Sequence, residues 1–204
     1  MKKIVPVLVL FIIYTIVVNS CPQVTAWDKS LLAFLHSLLA PLPLIIPSLM
    51  DEILYAAMII IPFLGFGIYF LKSRKFFDLV LFYAVPLVCF LLNSGFKEII
   101  QRPRPPFELQ QVIQLTSFSY TSTHSLVMFC LWGMVIFFAF KYNFSKSVKN
   151  FLIVFTILWV LFVGLSRMWL GVHYFTDVIG GFILGTFFLL LFIKISNKIQ
   201  KVGN

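Results

Sequence analysis

The sequence predicts an all-α protein: a bundle of six transmembrane helices with a short interfacial helix between the first and second spans. Three observations predict it. Of the 204 residues, 61% are hydrophobic and only 11% are charged, a composition outside the range of soluble domains. The charges fall between long apolar runs, and six of those runs suit a bilayer core, which takes about 20 apolar residues per helix. The basic residues between the runs are dense on alternate loops and sparse on the others, as membrane loops are.

Taken in order, the first span covers residues 4–23, behind a Met-Lys-Lys start. Such a start, followed by VNSC at residues 18–21, loosely resembles a cleavable lipoprotein leader. The apolar run is too long for a leader and no folded extracellular domain follows it, so a retained helix is expected. Ser30 to Met50 is also free of charge, but Pro41, Pro43 and Pro47 interrupt it. Only SLLAFLHSLLA is free of helix breakers, which predicts an interfacial or re-entrant helix there. The remaining spans are expected at residues 53–71, 77–96, 124–140, 150–166 and 177–194. The charge-free cores of the last three are short for a span, which predicts snorkelling lysines or a thin local bilayer. Gly181 and Gly185 form a small-xxx-small pair suited to helix packing. No internal repeat, low-complexity tract or soluble second domain is visible, so residues 1–204 read as a single membrane-embedded domain.

With the N-terminus inside, the inner loops and tails hold Lys2, Lys3, Lys72, Arg74, Lys75, Lys141, Lys146, Lys149, Lys194, Lys198 and Lys201, which is 11 of the 16 basic residues. Both termini are therefore expected to be cytoplasmic. A span over Ser30–Met50 would put Lys72, Arg74 and Lys75 outside, against that pattern. The net charge of +9 is accounted for by this girdle against anionic headgroups and implies no nucleic acid. Cys21, Cys89 and Cys130 show neither a disulfide framework nor metal-ligand spacing. No obligate protein partner is implied.

The outer side is the exception. Lys97, Arg102 and Arg104 follow the third span and Arg167 the fifth, while His124 opens the fourth span and His173 with Asp177 the sixth. Ionisable groups at membrane depth are costly and point to function. Lysine with two arginines suits a phosphate dianion, the guanidinium forks binding its oxygens in pairs. Ser122 and the amides of Thr123 and His124 would lie at a helix N-terminus, where free N–H groups favour an anion. His173 and Asp177 are four residues apart, on one face if helical, so the carboxylate can hold one imidazole nitrogen and leave the other free to attack phosphorus. Singly, each residue has an ordinary explanation as a cap, an anchor or packing. Jointly, seven suitable residues on one side do not. His36 stands apart from the group and reads as an interfacial side chain.

These residues also carry a family pattern. The chain resembles the type 2 phosphatidic acid phosphatase superfamily, whose signature has three parts. KEIIQRPRP supplies Lys97, Arg104 and Pro105 in the first, Lys-x6-Arg-Pro. Arg102-Pro103 is a second Arg-Pro pair at the wrong spacing. SRMWLGVHYFTD, residues 166–177, fits the third part at every position. In the second part, TSTH at residues 121–124 stands where the family has Pro-Ser-Gly-His. Threonine adopts positive φ far less readily than glycine and fills space beside the phosphate, which predicts reduced activity or a shifted substrate preference.

The resemblance implies roles. His173 would be the nucleophile, forming a phosphohistidine that water hydrolyses, with Asp177 fixing its tautomer. His124 would be the general acid. Lys97, Arg104 and Arg167, with Ser122 and the Thr123 amide, would bind the phosphate oxygens. It implies no metal and no cofactor, and the sequence offers no carboxylate cluster for magnesium. The expected activity is hydrolysis of a membrane lipid phosphate or diphosphate at the outer face of a bacterial cytoplasmic membrane. Undecaprenyl diphosphate is the first choice of substrate, with phosphatidylglycerophosphate or phosphatidate next. A lipid phosphotransferase and an idle lipid-phosphate binder are the alternative classes.

Overall fold

A computed structural model describes residues 3–49, 53–106 and 117–202 of the chain. Lys2, Met50, the stretch 107–116 and the side chain of Lys201 lie outside the described residues. Among the described residues the regular structure is entirely helical: α1 (Ile4–Ser20), α2 (Pro22–Leu39), α3 (Ile45–Leu49), α4 (Tyr55–Lys72), α5 (Phe76–Ile100), α6 (Thr123–Lys141), α7 (Lys146–Trp169) and α8 (Phe175–Val202). Five of these are long and apolar enough to cross a bilayer, or six if the bent pair α1 and α2 is counted as one span. The expected all-α bundle of membrane-spanning helices is the fold observed.

The first boundary differs from expectation. α1 ends at Ser20, not residue 23, because Cys21 is extended and Pro22 takes the first position of α2, where its missing N–H costs nothing. The two helices meet at 82°. The crosswise helix therefore starts at Pro22, eight residues before SLLAFLHSLLA, and runs to Leu39 ahead of Pro41. Asp28 and Leu32 on one face of α2 are buried, while Trp27, Phe34 and Leu38 on the other are exposed.

The last three spans are not short. α6, α7 and α8 have 19, 24 and 28 residues, since helix continues through Lys141, Lys146, Lys149, Lys194 and Lys198. Helical hydrogen bonding does not stop at a charge, and lysine stems can lie along apolar surface with the ammonium in the headgroups.

α6 is the hub. Of its most apolar window 61% is buried, against 17–33% for the other four spans, and it packs between α5, α7 and α8. α8 approaches it through glycines, with Gly181 against the backbone of Ser122 and Leu126, and Gly185 against Phe129. At the lysine-rich end, Asp78 of α5 accepts from Lys141 Nζ at 2.9 Å through both oxygens and from the Tyr142 hydroxyl. Lys141 also donates to Ser196 Oγ at 3.0 Å, which ties α5, α6 and α8 together. At the other end, the C-termini of α5 and α7 converge with the N-termini of α6 and α8, and α2 lies across them.

Candidate active site

α5 stops where its sequence dictates. Gln101 adopts a left-handed conformation with φ 53° and its N–H caps Lys97 O at 2.9 Å, after which Pro103 and Pro105 hold the chain extended. This leaves Lys97 in the last turn, buried, with Nζ donating to Phe118 O at 2.7 Å and Ser119 O at 3.1 Å. Lys97 Nζ thereby pins the irregular segment that returns toward α6. Arg104 reaches the same segment through Nε to Ser117 O at 2.6 Å and Nη2 to Ser117 Oγ at 2.9 Å. Its Nη1 donates to Val172 O at 2.6 Å and lies 3.4 Å from His173 Nε2.

His173 is not on a helix. It sits two residues ahead of α8, after a turn in which Gly171 has φ 69°, a value that glycine adopts at little cost. Asp177 is in the first turn of α8. The two therefore meet as loop and helix start, not as two positions on one helical face. His173 Nδ1 lies 3.5 Å from Asp177 Oδ2, too far for a good hydrogen bond. Ser119 fills the interval: its Oγ donates to Asp177 Oδ2 at 2.5 Å and stands 3.3 Å from His173 Nδ1. With the proton on Nδ1, the imidazole donates to Ser119 and indirectly to the carboxylate, leaving the Nε2 lone pair on the Arg104 side. Asp177 is further fixed by the Tyr174 N–H at 2.9 Å and by Arg102 Nη1 at 2.5 Å.

Lys97, Arg104, Arg167 and His124 all bear on His173. Burial first, then these cationic groups, hold the imidazole well below its ordinary range, so it is neutral at physiological pH. Arg104, lowered to about 10 by burial and by Arg167, stays charged there. Arg167 is buried in the last turn of α7. The His124 ring lies 4.2 Å from that of Tyr55, centroid to centroid.

Neither threonine of TSTH adopts the positive φ that a glycine would allow. Ser122 is the N-cap of α6, its Oγ accepting from Ser125 N at 3.4 Å and Ser125 Oγ at 3.0 Å. Thr123 is the first helical residue and does not need positive φ. Both threonines are held by Asn93, which is fully buried on α5. Thr121 Oγ1 donates to Asn93 Oδ1 at 2.7 Å, and Asn93 Nδ2 donates to Thr123 Oγ1 at 2.8 Å and Thr121 O at 3.3 Å. The Ser122 N–H donates to Asp177 O at 3.1 Å, which joins this loop to the start of α8.

The sequence-derived residues thus gather at one end of the bundle. Four more belong with them. Ser119 and Asn93 carry no motif and are found only through tertiary contact. Arg102, set aside for its spacing, is buried between Asp177 and Asp28. Asp28, a lone acid in an apolar stretch, was the one signal legible beforehand.

Comparison with known proteins places the chain in a family. Residues 75–201 match the sequence model of the PAP2 superfamily. Over 145 residues, 70% of this chain and 68% of the relative, the sequence is 38% identical to phosphatidylglycerophosphatase B of Bacillus subtilis (strain 168). The crystal structure of the first transmembrane PAP2 type phosphatidylglycerolphosphate phosphatase from Bacillus subtilis is similar over 98% of both chains, with a TM-score of 0.81 and 28% identity.

Proposed function

Since the chain belongs to the PAP2 superfamily and is an integral membrane phosphatase, we propose that it hydrolyses the terminal phosphate of phosphatidylglycerophosphate through a phosphohistidine. The observation that carries the chemistry is the His173 environment. Nδ1 is held by Ser119, itself bonded to Asp177, while Nε2 lies 3.4 Å from Arg104 Nη1 within a group of three basic side chains. The substrate follows from the two relatives, both phosphatidylglycerophosphate phosphatases by name.

His173 Nε2 attacks phosphorus in line, and the bond from phosphorus to the glycerol oxygen breaks. His124 gives that oxygen its proton, so phosphatidylglycerol leaves with a neutral hydroxyl and its phosphodiester intact. Water then attacks the phosphohistidine, His124 takes its proton, and inorganic phosphate departs from a restored imidazole. Lys97, Arg104 and Arg167 hold the three oxygens over which charge spreads in the transition state. Ser122 and the Thr123 amide, at the start of α6, add the favourable end of its dipole. Among the described residues the carboxylate beside His173, that of Asp177, is already engaged by Arg102, Ser119 and the Tyr174 amide, which supports charge stabilisation by cationic side chains and turnover without a metal. The lysine-rich end faces the cytoplasm with both termini, and the site opens to the outer face of a bacterial cytoplasmic membrane.

The test is phosphate release by the purified chain in detergent micelles containing phosphatidylglycerophosphate, phosphatidate or undecaprenyl diphosphate. Phosphatidylglycerophosphate is expected to give the highest kcat/KM, with full activity in EDTA and inhibition by vanadate. His173→Ala should reduce release to background, and His124→Asn should lower kcat by about 10²–10⁴-fold. Faster turnover of undecaprenyl diphosphate would move the substrate assignment to that lipid. Background release by wild type and His173→Ala alike, on all three lipids, would make the protein a lipid-phosphate binder.

A further inference from the structure

We propose that Asp28 and Arg102 are positioning residues through which the crosswise helix α2 clamps Asp177 and thereby sets the proton affinity of His173. The proposal rests on the reading of His173 as the nucleophile. Asp28 comes from α2, ahead of every residue that carries the family pattern, and Arg102 lies at a position that pattern does not use.

The clamp is a continuous buried chain of charge. Arg102 is 5% exposed, and Asp28 and Asp177 are fully buried. Arg102 Nη2 donates to Asp28 Oδ2 at 2.8 Å, and Nη1 donates to Asp177 Oδ1 at 2.5 Å and to Thr176 Oγ1 at 2.8 Å. The guanidinium also lies over the Tyr174 ring, 4.8 Å from its centroid. Burial works against the charge of Arg102, and Asp177 and Asp28 overcome it, so the group is held above its ordinary range. Asp28 does a second job. Its Oδ1 accepts the Thr176 N–H at 3.2 Å and its Oδ2 the Thr176 hydroxyl at 2.5 Å. A carboxylate from another helix thus caps the first turn of α8, where an anion is favoured by both free amides and the dipole. The far half of α2 is fastened to the same region, with His36 Nε2 lying 3.0 Å from Met168 O, next to Arg167.

A fork of this shape can bridge two carboxylates in a way an ammonium cannot. Its electrostatic consequence has a sign. His173 is faced by Lys97 from α5, Arg104 from the segment after it, His124 from α6 and Arg167 from α7. Asp177 of α8 opposes these cations, with Arg102 and Asp28 behind it. Asp28, Arg102 and Asp177 together carry one negative charge. Removing the guanidinium leaves two carboxylates and favours protonated His173. Removing the Asp28 charge leaves a neutral pair and disfavours it. A residue that merely filled space would not produce opposite shifts.

The test is the pH dependence of kcat/KM for phosphatidylglycerophosphate in micelles, using the full chain as wild type, Arg102→Gln and Asp28→Asn. The pH at half-maximal activity on the acid side is expected to rise in Arg102→Gln and to fall in Asp28→Asn. Each shift should be about tenfold in proton concentration, the low end for a neighbouring charge. Imidazole NMR gives the same reading without substrate, because the chain has only three histidines. Coincident acid limbs, or shifts in one direction for both variants, would overturn the clamp. If Arg102→Gln fails to fold, Asp28→Asn decides alone, since it keeps the shape of the side chain: a fall supports the proposal and an unmoved limb overturns it. Activity retained by His173→Ala overturns the nucleophile reading, whereas an unmoved limb with His173→Ala inactive overturns only the clamp.

Discussion

Gly181→Ala should disable the site through one methyl group. A Cβ at position 181 would lie 2.9 Å from Ser122 O, 3.2 Å from Leu126 N and 3.2 Å from Ser125 Cβ. Carbon and carbonyl oxygen normally approach to about 3.3–3.6 Å, so the first turn of α6 and α8 must part by about half an ångström. The nearest contact is backbone, which no rotamer change relieves. Overpacking of this kind costs about 1–3 kcal/mol. The functional loss comes from where the shift falls: Ser122 is the N-cap of α6, and its N–H is bonded to Asp177 O at 3.1 Å. Misplacement of about 1 Å can cost a hundredfold in rate, so half of that corresponds to about tenfold. Initial phosphate release and thermal unfolding of the purified variant measure both terms. Gly185→Ala, whose Cβ would press chiefly on the Phe129 side chain, and Gly65→Ala, with nothing within 4 Å, are the controls and should keep wild-type kcat. A Gly181→Ala enzyme with unchanged kcat would refute the inference that the start of α6 must be held to within half an ångström.

Asn93→Ala removes the common partner of Thr121 and Thr123 and should lower stability by about 1–3 kcal/mol, with kcat falling more than KM rises; calorimetry and initial rates check it. Because His173 is held well below its ordinary range, it stays neutral in the fold below pH 6.5 while the unfolded imidazole takes up a proton. Its contribution is therefore complete above about pH 6.5 and is lost as pH falls toward its folded value. Thermal unfolding from pH 7.5 to 5 should show a declining midpoint that His173→Asn flattens. At the opposite end, Asp78→Ala leaves Lys141 without its carboxylate and should cost about 3 kcal/mol while kcat is retained, measured by unfolding and turnover together.

The span pattern was legible because a bilayer imposes one rule on every residue of a helix, and that rule is written in composition. Helix ends were not, because hydrogen bonding continues past the last apolar residue. α7 begins at Lys146, four residues ahead of the expected start at residue 150, and α8 runs to Val202, past Lys194, where its apolar run stops. The bend between α1 and α2 was hidden for the opposite reason. The chain stays free of charge across Cys21 and Pro22, and the backbone chemistry of proline marks the joint.

The site divides along a similar line. Lys97, Arg104, His124, Arg167, His173 and Asp177 were recognisable because they stand at the fixed spacings of a family pattern. Residues that hold those groups in place are under no such constraint. Ser119 stands 54 positions from His173, and Arg102 reaches 74 positions back to Asp28 and 75 forward to Asp177. A spacing rule therefore passed over Arg102. Its place is behind Asp177, where a single guanidinium balances two buried carboxylates that would otherwise each be uncompensated. The threonines of TSTH follow the same logic, since their acceptability depends on an asparagine 28 and 30 residues away. A motif departure is thus a statement about local backbone, and whether it weakens a site is decided by the side chain packed against it.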